Sequence, residues 1–410
     1  MDRKHYVFAL LLLLLIFLGW RLIRPLNIFV VTDNFERPVD TALLPATINS
    51  LHARDCGKCH KDFLQEWQTS MHSQAWVDPY YQADWRFDGK QQICRNCHTP
   101  LDRQQPDKVL GFRDDEKWEP ALVENADFDR ELQHEGVTCT ACHLRDGMIL
   151  GIIGNTSAPH PVKRLDNANR VCVRCHVVEG ERWDTFFRFP PCGTVAEIQS
   201  ASSIYNQAEN NSDNKTGEMS LQDISELGCV ECHMPAVQRP LVEGGVARKA
   251  RRHLWRGGHD SEMVRKAFSA ELKENRLADN RKRKFTFEIT NTGARHYLPT
   301  GTPDRHLTVT LRLLDRDGKI LKQQRHKLIR TVMWRPFIID LWDTRIPNGE
   351  KRRYSLEYSK DQHRHAEVIE VKVRYHLLDE SRAKRINYQY REPIDYEVFS
   401  KRIHLTNHSY

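Results

Sequence analysis

Cys56-Gly-Lys-Cys59-His60, Cys94-Arg-Asn-Cys97-His98, Cys139-Thr-Ala-Cys142-His143, Cys172-Val-Arg-Cys175-His176 and Cys229-Val-Glu-Cys232-His233 repeat one five-residue pattern. C-x-x-C-H is the attachment signal of c-type haem. Its two thiols form thioether bonds to the haem vinyl groups, and the adjoining histidine becomes an axial iron ligand. The five copies use ten of the eleven cysteines. A zinc site would pair one C-x-x-C with another and has no need of a histidine after each. A thioredoxin-like site comes singly. A disulfide framework does not impose the same two-residue gap five times. The pattern therefore implies five covalent haems c, held by Cys56, Cys59, Cys94, Cys97, Cys139, Cys142, Cys172, Cys175, Cys229 and Cys232. His60, His98, His143, His176 and His233 are the first iron ligands.

Working outward, successive signature histidines are 38, 45, 33 and 57 residues apart. So dense an array leaves little chain for an ordinary apolar core. The expectation is a pentahaem cytochrome domain over residues 51–260, mainly helix and loop, with little β structure. Residues 205–220 are polar and turn-rich and read as an inserted surface loop.

The chain of 410 residues has room for two or three domains. Its net charge of +7 hides an asymmetry. Residues 1–260 hold 30 Lys and Arg against 35 Asp and Glu, whereas residues 261–410 hold 32 against 20. Haem propionates would make the first part more acidic still. The two parts either neutralise each other on docking or leave a basic surface for an acidic partner or a membrane. No nucleic-acid motif interleaves the basic residues, so such a partner is not expected.

Tyr6 to Trp20 is an unbroken apolar run behind a basic lead. With Leu22 and Ile23, and Arg21 snorkelling to the interface, it approaches the roughly 20 residues that span a bilayer. No small-x-small cleavage site follows. An uncleaved signal anchor over residues 1–23 is favoured over a removed signal peptide. Residues 24–50, with Pro25, Pro38 and Pro45, read as an extended linker. Haem c is attached outside the cytoplasm. The chain is therefore expected in the cytoplasmic membrane, single-pass, with its bulk in the periplasm.

The first signature runs on through Trp67 to Ser70-Met-His72-Ser-Gln-Ala75. Leu132-Gln-His134-Glu-Gly-Val-Thr138 leads into the third, and Ala158-Pro-His160-Pro-Val162 precedes the fourth. Met234-Pro-Ala236 and Arg251-Arg-His253-Leu-Trp-Arg-Gly-Gly-His259-Asp260 follow the fifth. With the S-x-H-S-x-A element after a tryptophan, this context resembles the cytochrome c-554-like multihaem family over residues 50–310. The resemblance implies that His72 is a distal ligand to a neighbouring haem.

From about residue 261 the texture changes. After a short helix capped at Asp260 or Ser261, apolar and polar residues alternate in 285–289, 307–311 and 368–373, with turns at 315–318 and 347–349. This is strand patterning. The expectation is an antiparallel β-sandwich over residues 261–410. The fold class is thus mixed and two-part, with one N-terminal transmembrane helix.

Fifteen histidines remain as second ligands. The candidates are His72, His134, His160, His253, His259 and His296. His296 lies in a Gly/Pro-rich loop, Asn291-Thr-Gly-Ala-Arg-His296-Tyr-Leu-Pro299-Thr-Gly301. That loop resembles a stretch in the C-terminal domains of related multihaem proteins. A haem ligand there would clamp the β region onto the haem region. His326, His363, His365, His376, His404 and His408 default to solvated or packed roles. Cys192 is the odd thiol, read as a small buried residue, with a thiolate ligand or a reactive sulfur site as alternatives.

Two functions fit. One is a membrane-tethered electron carrier between a quinol-linked membrane partner and another redox protein. The other is an oxidoreductase with one open haem acting on a small nitrogen or sulfur compound, such as an oxyanion. A structural role in a larger cytochrome complex is the third, with the β region as docking module.

Overall fold

The computed structural model describes residues 3–23, 28–31, 36–154, 158–176, 182–189, 192–201, 227–275, 277–279, 281–361, 364–389 and 393–405. The stretch 205–220 and His363 and His408 lie outside them.

The apolar run forms α1 (Arg3–Ile23). Its 21 residues rise about 31 Å, close to the roughly 30 Å hydrocarbon layer of a bilayer. It is long and apolar enough to cross a membrane, and Leu10 through Ile16 are all exposed. Arg21 does not snorkel outward as expected. It is buried at the helix's C-terminal end, pairs with buried Asp184 at 2.5 Å and donates to the Pro336 carbonyl. A fixed carboxylate satisfies the guanidinium there, so it has no need of solvent.

The signature region is built from short helices. These are α2 (Ala53–Cys56), α3 (Lys61–Gln68), α4 (Met71–Gln74), α5 (Pro79–Phe87), α6 (Arg95–His98), α7 (Arg130–His134), α8 (Cys139–His143), α9 (Asn169–His176), α10 (Thr194–Ala201) and α11 (Cys229–His233). Side chains cap several of them: Ser70 accepts from Ser73 N, Asp78 from Tyr81 N and Asp129 from Leu132 N. Helices this short do not hold themselves in water and depend on what packs against them.

The expectation of a mainly helical region fails. Among the described residues strand (31%) slightly exceeds helix (28%). Between the signatures lie β1 (Asp107–Phe112) and β2 (Pro120–Glu124), an antiparallel hairpin. A second small sheet joins β3 (Leu144–Arg145), β4 (Met148–Gly151) and β5 (Val162–Arg164). β6 (Thr185–Phe186) follows, then the hairpin of β7 (Ala236–Arg239) and β8 (Arg248–Arg251). The reason is backbone accounting. A C-x-x-C-H motif needs one helical turn, and the intervening chain must still pair its N–H and C=O groups. Hairpins do so without a long amphipathic face.

After α12 (Ser261–Lys266), capped by Asp260, come β9 (Phe268–Asn275), β10 (Lys282–Asn291), β11 (His306–Leu314), β12 (Ile320–Leu328), β13 (Arg330–Met333), β14 (Ile338–Asp343), β15 (Lys351–Ser359), β16 (Val368–His376), α13 (Glu380–Arg385) and β17 (Asp395–His404). They form an antiparallel sheet β15-β10-β9 and another β12-β11-β16-β17. Alternate residues Phe285, Phe287 and Ile289 of β10 meet Leu307, Val309, Leu311, Val371 and Val373 in one buried cluster. A sandwich confined to residues 261–410 does not describe this part. The third sheet, β13-β14-β6, recruits a strand from the signature region, and β6 runs parallel to β14. Periodicity finds the strands of a long alternating run, but not a two-residue strand borrowed from far away in sequence.

Candidate functional site

Each signature sits on about one helical turn, so its cysteines, three residues apart, share a face and the histidine follows at once. α6, α8, α9 and α11 each end on the signature histidine, and His60 stands at the start of α3. The imidazoles are then fixed from behind. His60 Nδ1 bonds the Leu241 carbonyl at 2.9 Å, His98 that of Ala75 at 2.7 Å, His143 that of Leu150 at 2.7 Å and His233 that of Arg256 at 2.6 Å. A backbone acceptor on Nδ1 sets the tautomer and leaves the Nε2 lone pair free for a metal.

Four of the five face a second histidine. Ring centroids are 6.4 Å apart for His60 and His160, 6.4 Å for His176 and His72, 6.0 Å for His143 and His253, and 6.4 Å for His233 and His296. Two imidazole nitrogens bonding one metal ion from opposite sides, each at about 2 Å, hold their rings about 6 Å apart. The pairs fit an iron between them. His253 and His296 repeat the Nδ1-to-carbonyl bond, to Arg251 and Tyr297. His160 Nδ1 is buried with no partner. Burial pushes His72 down to about 3 and His98, His253 and His296 down to about 4, so these rings are neutral and ready to ligate. Among the described residues no three His, Cys, Asp or Glu side chains converge as at a zinc centre.

The remaining candidates are not brought into pairs. His134 is exposed at the end of α7. His259 lies beside Arg305, and burial followed by that cation pushes it to about 4. His98 is faced by no histidine among the described residues. Tyr81 of α5 lies flat on its ring, centroids 3.6 Å apart and planes 8° from parallel.

The thiols show how the sites adjoin. Cys56 of the first site is hydrogen-bonded to Cys139 of the third. Cys97 of the second meets Cys175 of the fourth, and Cys172 of the fourth meets Cys229 of the fifth. Cys142 of the third lies within electrostatic reach of both Cys172 and Cys175. The order is first, third, fourth, with the second and fifth branching from the fourth.

Several positioning residues escaped the sequence reading. Glu66 of α3 grips Arg239 with both oxygens at 2.7 Å and accepts from the His253 backbone at 2.8 Å. Glu197 of α10 accepts from Tyr297 N and Thr300 Oγ1 beside His296 and pairs with buried Arg345. Tyr81 is the third. Glu66 follows His60 by six residues and carried no pattern of its own. The S-x-H-S-x-A context around His72 and the Gly/Pro-rich loop around His296 were the local signals that pointed to second ligands.

No known family model matches the chain, and no curated protein matches it. Among solved structures, a penta-heme cytochrome c552 from Thermochromatium tepidum superimposes with a TM-score of 0.61 at 18% identity, covering 88% of this chain and 100% of that one. The two share a fold. A calcium-binding mutant of Bacteroides uniformis beta-glucuronidase 2 aligns over 33% of this chain and 12% of that one, at 10% identity and a TM-score of 0.16.

Proposed function

We propose that the chain is a multihaem c-type cytochrome that carries electrons along five covalently bound haems while tethered to the cytoplasmic membrane, its bulk in the periplasm. The observation that carries this reading is the set of four facing histidine pairs at 6.0–6.4 Å, each containing a signature histidine. When bound, haem between two imidazoles supplies a one-electron couple, at lower potential than with methionine ligation. The chain's own residues hold it. The cysteine pairs anchor each group, the Nδ1-to-carbonyl bonds fix the rings, and burial of His72, His98, His143 and His176 keeps water from the ligand nitrogens. The shared fold with a penta-heme cytochrome supports the same reading.

The tether rests on α1 and its seat. Trp183 and Phe186, on either side of Asp184 in sequence, are exposed, as are Leu341 and Trp342 of β14, and Phe17 meets Trp183 and Phe337. Exposed tryptophans at the base of an apolar helix suit a membrane–water interface. Electrons would pass between a quinol-linked membrane partner and another redox protein.

The test is the intact mass of protein made with haem-attachment machinery, followed by a potentiometric titration. Five haem masses and reversible one-electron waves are expected, and a chain without covalent haem sinks the reading. The second reading is an oxidoreductase on a small nitrogen or sulfur compound, and its foothold is His98, which faces no histidine among the described residues. Binding of nitrite, sulfite or hydroxylamine to a ferric high-spin fraction favours it.

A further inference from the structure

α1 rises about 31 Å only if Arg3, Lys4 and Arg21 are counted. Its unbroken apolar run, Tyr6 to Trp20, is 15 residues and rises about 22 Å. That is short of the roughly 30 Å hydrocarbon layer. A short span leaves the bilayer to thin around it, unless other apolar groups of the protein enter the same layer.

Such groups stand beside the last two turns of the helix. Phe17 precedes the helix end at Ile23 by six residues, about 9 Å. Its ring meets those of Trp183 and Phe337, with centroids 6.5 and 6.4 Å apart. Arg335 donates to the Leu22 carbonyl, and Arg21 to the Pro336 carbonyl at 2.9 Å. β6 and β14 are parallel, so both strands start at this end. The start of the sheet therefore lies alongside the helix end and not beyond it.

The same strands carry exposed apolar side chains. Phe186 of β6 pairs with Ile339 of β14, and Phe186, Leu341 and Trp342 are exposed, as is Trp183. Neighbours on a regular strand point to opposite faces. The register of β13 with β14 skips Leu341, a bulge that re-aims side chains, and Leu341 and Trp342 both stay in the open. The charges fit a lipid boundary. Asp184, Asp340 and Asp343 are held by Arg21, Arg330 and Arg345. Arg21 is walled in by rings, its Cζ 5.7 Å from the centroids of both Trp183 and Phe337. An arginine at membrane depth is costly unless it faces protein and is paired. Arg188 and Arg335, two residues beyond Phe186 and two before Phe337, are exposed and suit anionic headgroups.

We propose that the β6–β14 face bearing Trp183, Phe186, Leu341 and Trp342 is a membrane-docking surface, which enters the headgroup boundary of the bilayer beside α1. This rests on the tether reading above. Its contacts with Phe17, Arg21 and Leu22 make the face continuous with the spanning helix, so its occupant is lipid. The chain is then held at two places, and the domain keeps one orientation to the bilayer where a single helix would let it swing.

Photolysis of a diazirine-bearing phospholipid tests this. The full-length holoprotein is reconstituted into phosphatidylethanolamine–phosphatidylglycerol vesicles with the diazirine near the glycerol end of the acyl chain, and adducts are mapped by peptide mass. Adducts are expected on α1 and on the peptides that carry Trp183–Phe186 and Leu341–Trp342. Phe186→Glu with Trp342→Glu should lose the adducts on those two peptides and keep those on α1. Adducts on α1 alone in the wild type overturn the docking face and leave the tether standing; the face then belongs to a protein partner or a second copy. Wild-type adducts on the sheet of the double variant overturn it as well. The wild-type map decides even where the double variant fails to fold. No adducts on α1 defeat the tether reading, and the docking face falls with it.

Discussion

Glu66 and His52 do by charge what the backbone carbonyls do for the signature histidines. Glu66 joins α3 to the β7–β8 hairpin through Arg239 and holds the backbone of His253 opposite His143. Both partners of the ion pair are mostly buried. Glu66→Ala leaves Arg239 uncompensated and is expected to cost about 3 kcal/mol in urea unfolding. Glu66→Gln, which keeps an acceptor for His253 N, should cost less. His52 bridges Asp129 and Glu135 at 3.0 and 2.9 Å. Burial opposes its charge, but the bonds and charges of Glu135 and Asp129 outweigh burial and raise its pKa above the ordinary 6.5. The bridge's contribution is therefore complete below pH 6.5 and is lost as pH rises through the raised folded value. His52→Gln should flatten that decline relative to wild type in denaturation midpoints measured across neutral pH. Neither role was legible in the sequence. The partners of His52 lie 77 and 83 residues away, whereas the cysteine pattern announces itself within five residues.

At the scale of elements, legibility follows how far a pattern reaches along the chain. β10 was readable because Phe285, Phe287 and Ile289 alternate with polar residues, and all three are fully buried. Phe287→Ala removes a ring from the centre of that cluster and is expected to destabilise by about 3–5 kcal/mol, seen as an earlier thermal transition. The small sheets β1–β8 were missed because two- to six-residue strands hold too few alternations to register. Helices were expected around the signatures, and they are there, but at four or five residues most cannot persist alone. Their support has to come from the groups they carry. Chain produced without haem attachment should retain the strand signal of β9–β12 and β15–β17 in circular dichroism and lose most of the helical signal from residues 53–233. Retention of full helicity would show that the protein scaffold alone suffices.

For the whole molecule, the proposed electron-carrying role makes the order of the sites a testable path. Cys172 and Cys175 of the fourth site touch the fifth and the second, while Cys142 ties the third to both of them. The first reaches the others through the third, by way of Cys56 and Cys139. Asp184 seats the end of α1 through Arg21, and Glu197 holds the loop that carries His296 through Tyr297 N. On this layout the fourth site is the junction. Cys172→Ala with Cys175→Ala should split rapid reduction by a stopped-flow donor into two populations, the first and third haems responding independently of the rest. Cys229→Ala with Cys232→Ala removes a branch tip instead, and the remaining haems should still reduce together. If both double variants behave alike, the sites are not coupled in this order. If only the first breaks the molecule in two, the thiol contacts of Cys97 with Cys175 and of Cys172 with Cys229 mark the path of the proposed electron transfer.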